Sequence, residues 1–162
     1  MSYVIEEIRP EWDGAICEII KQTGAEFGAV GEGFGPSDPE VTAMSRHYTR
    51  DAGSLYLIAR VGNRVIGGCG VAPFQGSREV CELRKLFLLP ESRGLGAGRA
   101  LAEKCLAFAE SAGYRRCYLD TLLTMTSAIS LYEALGFKHL DRPLDGTIHG
   151  GCDVWMLKEF SG

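Results

Sequence analysis

Hydrophobic and polar positions alternate from Tyr3 to Ile8, which predicts a first strand, closed by Pro10. Residues 11–25 place Trp12, Ala15, Ile16, Ile19 and Ile20 at helical spacing. Gly24 to Pro39 holds five glycines and two prolines, too many breakers for a long helix, and reads as a loop. Residues 40–51 predict a second short helix. Leu55 to Val61 and Arg64 to Ala72 are strands joined by a tight turn at Gly62-Asn63, hence a hairpin. A loop at Pro73 to Ser77 leads to a longer strand, Val80 to Leu89, ended by Pro90. After a glycine-rich turn, Leu101, Ala102, Cys105, Leu106, Ala109 and Ala112 form one face of a helix from about Gly98 to Ala112, and Gly113 suits its stop. Cys117 to Leu122 is a strand, and Ser127 to Leu135 a helix stopped at Gly136. Phe137 to Leu140 and Asp153 to Phe160 are the last strands. The order β-α-α-β-β-β-α-β-α-β-β predicts an α/β fold with a mixed, largely antiparallel central sheet flanked by helices.

A length of 162 residues with 46% hydrophobic and 23% charged residues suits one domain, residues 1–162, with a real core. No apolar run approaches the roughly 18 residues that span a bilayer, and the acidic start MSYVIEEIRP lacks the apolar segment of a signal peptide. A cytoplasmic protein is the expectation. Six cysteines stand in no CxxC pair, so thiols in apolar surroundings are expected, and no metal site is read. Residues 1–63 carry five Lys/Arg against ten Asp/Glu, whereas Arg84, Lys85, Arg93, Arg99 and Lys104 cluster within residues 84–104. An acidic chain with one basic island is a poor nucleic-acid binder and a plausible host for a small phosphorylated ligand. The plain alternative is two solvated faces. His47, His139 and His149 fall in no recognisable constellation, and each reads as a surface or structural histidine.

The densest chemistry lies in Leu86-Phe87-Leu88-Leu89-Pro90-Glu91-Ser92-Arg93-Gly94-Leu95-Gly96-Ala97-Gly98-Arg99, which joins a strand directly to a helix. Glycines at 94, 96 and 98 let backbone approach a ligand, and free N–H groups at the helix start favour negative charge. The same turn could simply pack a helix closely. A P-loop is excluded because Arg99-Ala100 follow Gly98 where GK[ST] is needed. The dinucleotide fingerprint fails because the spacing is GxGxG.

Arg93-Gly94-Leu95-Gly96-Ala97-Gly98 resembles the Q/R-x-x-G-x-G/A signature of the GNAT superfamily of acyl-CoA N-acyltransferases. Leu131-Tyr132-Glu133-Ala134-Leu135-Gly136-Phe137 resembles that family's L-Y-E-x-x-G-F segment, a helix and a strand further on. The resemblance covers roughly residues 55–140. It implies acetyl-CoA as co-substrate, with its pyrophosphate on the backbone of Gly94, Leu95, Gly96, Ala97, Gly98 and Arg99, and Arg93 opening the loop. It implies that Leu86, Phe87 and Leu88 run beside the pantetheine, with the Leu88 N–H on the thioester oxygen. Tyr132 would be the general acid for the departing thiolate, or else a core tyrosine. Glu82 would be the base, or else the partner of Arg84 on its strand face; Glu79 and Asp120 are the other candidates. The family often has an Asn where this chain has Met125, with Thr124 or Thr126 as substitutes.

The function implied is transfer of an acetyl group to a primary amine by direct attack. A non-catalytic acyl-CoA sensor of the same fold is the alternative. The acceptor, a small molecule or peptide, would be met by Glu26–Met44 and Asp141–Cys152. The acidic N-terminal part predicts a cationic one. A homodimer is compatible with the pattern, and no membrane or nucleic-acid partner is expected.

Overall fold

A computed structural model of the chain describes residues 2–160. Seven strands form one sheet in the order β1-β2-β3-β4-β5-β7-β6. They are β1 (Val4–Glu7), β2 (Leu55–Val61), β3 (Arg64–Pro73), β4 (Val80–Leu88), β5 (Arg116–Thr121), β6 (Lys138–Leu140) and β7 (Val154–Glu159). Every pairing is antiparallel except β4 with β5. The helices are α1 (Asp13–Glu26), α2 (Met44–His47), α3 (Ala97–Ser111) and α4 (Thr126–Ala134). Among the described residues, no helix is long and apolar enough to cross a membrane.

Strand alternation sorts the apolar residues onto two faces. On β2, Leu55, Leu57 and Ala59 join Leu101, Cys105, Leu106 and Ala109 of α3. Tyr56 and Ile58 point the other way and meet Ile16, Ile19 and Ile20 of α1. Both faces of the strand are buried, which is why it reads as a continuous apolar run.

The glycines of β3 make room for one large ring. A Cβ at Gly68 would fall 2.6 Å from Tyr56 Cε1, and one at Gly70 would fall 2.4 Å from Tyr56 Cδ2. Tyr56 is buried, and its hydroxyl donates to the Lys85 carbonyl at 2.9 Å. That carbonyl belongs to a β-bulge. The β3–β4 register runs Gly67↔Leu88 and Gly68↔Phe87, then shifts to Gly70↔Arg84. Lys85 sits in the bulge at φ 53, a left-handed conformation uncommon for a side-chain-bearing residue.

Residues 40–51 do not form the expected helix. Pro39–Ala43 is a 3-10 segment, α2 is one turn, and Arg50–Ala52 is 3-10 again. Ala43 (φ −151, ψ 57) and Tyr48 (φ −124, ψ 99) break the helix. The break turns Tyr48 inward, where its ring tilts onto Tyr56 at 5.4 Å and its hydroxyl donates to Glu40. Within the expected loop, α1 runs on to Glu26 and Gly35–Ser37 forms a further 3-10 turn. The other elements agree with the sequence pattern to within a residue or two at each end.

Candidate active site

β4 and β5 pair only from Val80–Glu82 to Arg116–Tyr118. Beyond that the two strands part, and the wedge between them is the centre of the site. An outer cleft of about 600 Å³ opens on one side, lined by Leu86, Phe87 and Leu88, by Arg93, Gly94, Gly96, Gly98 and Arg99, and by Thr126, Ser127, Ala128 and Leu131 of α4. A smaller inner cavity of about 60 Å³ lies on the other. Leu86, Phe87 and Met125 line both.

The turn before α3 is built to present backbone donors. Gly96 is the N-cap at φ 82, a conformation natural to glycine and strained for other residues. Its carbonyl accepts the first helical bond, from Ala100 at 3.1 Å. Among the described residues no side chain caps this end, so the amides of Ala97, Gly98 and Arg99 remain for a ligand in the cleft. The fit for a phosphate is good. Ala97 is buried and Leu95 is exposed, and neither is among the residues that line the cleft.

The peptide of Leu88 also faces the wedge. The Leu89 N–H donates to the Ile66 carbonyl at 2.9 Å. Successive peptides alternate in direction, so the N–H and C=O of Leu88 point away from β3. Arg93 donates to that C=O at 3.1 Å. The same guanidinium forks onto Glu26 at 2.7 and 2.9 Å and stacks 5.1 Å from the Phe27 ring, fastening the end of α1 to the turn. Met125, at the expected Asn position, caps α4 without a side-chain hydrogen bond, and its Sδ accepts from Thr121 at 3.3 Å. Thr124 is spent on the Phe27 carbonyl at 2.8 Å, whereas Thr126 lines the outer cleft.

The inner cavity holds a polar network that the sequence pattern did not reveal. His149 donates to Asp120 through Nδ1 and to Asp38 through Nε2, each at 2.8 Å. Burial works against its charge, but the two carboxylates outweigh it and lift its pKa to about 10, so it is an imidazolium. Asp38 also holds Lys85 Nζ at 2.9 Å, and Glu40 holds it at 3.0 Å. Burial raises the Asp38 pKa, and the bonds from His149 and the Lys85 charge more than offset that, leaving the carboxyl below its usual range. Thr147 and Tyr118 donate to the second oxygen of Asp120. His149 thus stands in a constellation that the sequence does not display, because its partners lie 29 and 111 residues away, and within it the residue is the structural histidine expected. His139 instead meets exposed Glu133 at 2.8 Å.

Glu82 and Tyr132 both line this cavity. Glu82 accepts from Arg84 Nε at 2.8 Å, so the ion pair and the cavity position hold together. Burial pushes its pKa up, Arg84 pulls it down, and nearby Asp120 pushes it further up, for a net rise. Tyr132 is buried edge-on to Phe137, 5.8 Å between centroids. Its hydroxyl makes no hydrogen bond among the described residues, and burial raises its pKa, so the phenol keeps its proton. Asp120 belongs to the cavity as well. Glu79 does not: it is exposed at the far end of the sheet beside Arg115. Glu82, Asp120 and His149 each bring a donor atom within 4.8 Å of the others, a spacing that could suit a cation, although their hydrogen bonds now run to Arg84, Thr147, Asp38 and one another.

Two charge expectations change. The basic island divides, because Arg84 and Lys85 face the inner cavity while Arg93 and Arg99 line the outer cleft. Of the N-terminal acids, Asp38 and Glu40 join the network at the inner cavity, whereas four others lie away from it. Glu6 pairs with Arg9 and Arg60, Glu7 with Arg50, Glu11 with Arg9, and Asp13 accepts from Ser45. Ala29, Phe34, Gly35, Pro36, His149 and Cys152, from the two expected loop regions, do line the cavity.

Residues 18–137 match the family described as Acetyltransferase (GNAT) family. The chain is 37% identical over 160 residues to the uncharacterized N-acetyltransferase YjgM of Escherichia coli (strain K12), covering 98% of this chain and 95% of that one. Its fold is similar to that of a GNAT-family acetyltransferase from Staphylococcus aureus Mu50, with TM-score 0.81 and 18% identity over 98% and 99% of the two chains. It is also similar to yncA of Salmonella typhimurium, solved with its cofactor acetyl-CoA, with TM-score 0.79 and 18% identity over 100% and 96%. A strand pair parted beside two cavities that share lining residues, a turn of free amides and a matching sequence thus agree: this chain belongs to the GNAT acetyltransferase family and is an acetyl-CoA-dependent acyltransferase.

Proposed function

We propose that the whole chain acts as one N-acetyltransferase domain that passes the acetyl group of acetyl-CoA to a primary amine in a single direct attack. The observation that carries this reading is the shared wall of Leu86, Phe87 and Met125, which brings an amine in the inner cavity up to a thioester in the outer cleft. The amides of residues 94–99 hold the pyrophosphate, and the Leu88 N–H bonds the thioester oxygen as it becomes an oxyanion. Glu82 takes the proton from the ammonium, directly or through water. Its raised pKa makes it a stronger base than an exposed carboxylate. The amine nitrogen then bonds to the carbonyl carbon and the C–S bond breaks. The sulfur takes the Tyr132 proton while the adduct nitrogen gives up its second proton, directly or through water, to restore the phenol. The products are the N-acetyl amide and free CoA, and Glu82 returns its proton to solvent.

Release of free CoA thiol is the test, measured with acetyl-CoA and a panel of amines. CoA release that depends on both substrates is the expected outcome. Tight acetyl-CoA binding with no release for any amine would favour the sensor alternative.

A further inference from the structure

The inner cavity also indicates what kind of amine enters it, on the premise that acetyl transfer occurs there. Most of its polar groups are already satisfied. The Lys85 side chain is 2% exposed, and its ammonium lies within 3.0 Å of two carboxylates. The His149 side chain is 8% exposed and clasped on both nitrogens. Both oxygens of Asp120 accept hydrogen bonds. Thr121 is turned to the Met125 sulfur, Tyr132 serves the leaving thiolate, and the Cys152 thiol is a weak donor.

Two groups keep free capacity. The Arg84 side chain is 22% exposed, and only its Nε makes a tight hydrogen bond, at 2.8 Å to Glu82. Its Nη1 is 3.6 Å from Glu40, and Nη2 reaches the Pro73 carbonyl at a long 3.4 Å. The Nη1/Nη2 fork, the part of a guanidinium that matches a carboxylate, is therefore lightly held. Beside it, Glu82 Oε2 accepts no hydrogen bond among the described residues: His149 Nδ1 stands 3.7 Å away, beyond hydrogen-bond range, and an Asp120 oxygen lies within 4.8 Å of the Glu82 carboxylate.

A donor fork and a carboxylate oxygen thus stand side by side, two residues apart on β4. The complementary ligand carries an ammonium and a carboxylate one carbon apart. We infer that the acceptor is an α-amino acid, whose carboxylate is received by Arg84 and whose ammonium is received by Glu82. Such a zwitterion adds no net charge to a buried network, whereas a simple amine leaves the fork empty and a dicationic amine finds no second free oxygen on the carboxylates that line the cavity, since both oxygens of Asp120 are already bonded. The cavity of about 60 Å³ admits the amino and carboxyl end, with the side chain directed toward the entrance. The proton that Glu82 takes is then the one the mechanism requires.

The experiment measures CoA release with the twenty standard L-amino acids and with partners lacking the α-carboxylate charge. These are isoamylamine and leucinamide for leucine, phenethylamine for phenylalanine, tyramine for tyrosine, γ-aminobutyrate for glutamate and β-alanine for aspartate. At least one amino acid should exceed its uncharged or decarboxylated partner by about 10–100-fold in kcat/KM, as expected for a lost charge-assisted bond. Arg84→Gln should pull that ratio toward one by raising KM for the amino acid alone. A preference for the decarboxylated amines, or an equal loss for both classes in Arg84→Gln, would overturn the acceptor assignment and leave the acetyltransferase standing. No turnover with any compound, acetyl-CoA being bound, would sink both readings. Circular dichroism and the acetyl-CoA melting shift establish that the variant is folded and loaded.

Discussion

Tyr132 shows how much a single side chain can owe to its surroundings. On α4 it belongs to the apolar stripe, and its ring packs in the core. Its side chain nevertheless lines the inner cavity, and its hydroxyl makes no hydrogen bond among the described residues. Replacing it with Phe removes one oxygen and leaves the packing. Turnover should fall about 10²–10⁴-fold with acetyl-CoA affinity nearly unchanged. Wild-type turnover under chemistry-limited conditions would reduce Tyr132 to a packing residue. Glu82→Gln keeps the size of the side chain, and should lower kcat most at low pH, where the amine is most fully protonated. A pH-independent loss would point to lost positioning of Arg84 instead. The sequence singled out Tyr132 and Glu82 because each sits at a fixed offset from a motif, and both line the inner cavity. His149 was not, because its partners come from distant segments that only folding brings together.

At the scale of elements, the turn before α3 depends on backbone that nothing else uses. Gly96→Glu places a carboxylate, and a strained φ, where the turn presents its amides. Acetyl-CoA should raise the melting temperature of the wild type and leave that of the variant unmoved. An undiminished shift would remove the phosphate cradle. The glycines of β3 make a different demand, since Tyr56 occupies the space where side chains would go. Gly70→Val should cost about 1–3 kcal/mol or more, through overpacking against Tyr56. Activity should suffer too, because Tyr56 holds the bulge that aims Arg84 and Lys85. Chemical denaturation and CoA release on the same variant would show both, and unchanged stability would mean that the ring can move aside. The sequence pattern marked the turn clearly. It misread residues 40–51, because helical propensity there yields to the burial of Tyr48 and to the bond between Tyr48 and Glu40.

The molecule as a whole is closed around the site by charge. His149 ties the loop before β7 to Asp38 near α2 and to Asp120 on β5. Its pKa is about 10 in the folded chain, against 6.5 for the free side chain. A raised pKa means that its stabilisation is complete below about pH 6.5 and disappears as the pH climbs through about 10. The melting temperature should therefore fall across that window, and more steeply than in His149→Ala. That variant should be less stable by about 3–5 kcal/mol near neutral pH, since it leaves the buried Asp120 carboxylate without its cation, while Asp38 keeps Lys85. Parallel pH profiles for the two proteins would remove His149 from this role.

Local sequence determined the element order, the helix stripes and the glycine turn, because periodicity, prolines and glycines act over a few residues. It also marked the paired motifs that flank the wedge. The tertiary structure decided which charges face which cavity. Arg84 and Arg93 look alike as members of one basic run, yet a strand pleat, a bulge and a turn send them to opposite sides of the wedge. It likewise decided that the acids of β1 and its following turn meet arginines away from the inner cavity, while Asp38, Asp120 and His149 converge beside it. The physical reason is that ion pairs and buried hydrogen bonds depend on distances of about 3 Å, and a linear pattern does not fix those distances between segments far apart in the chain.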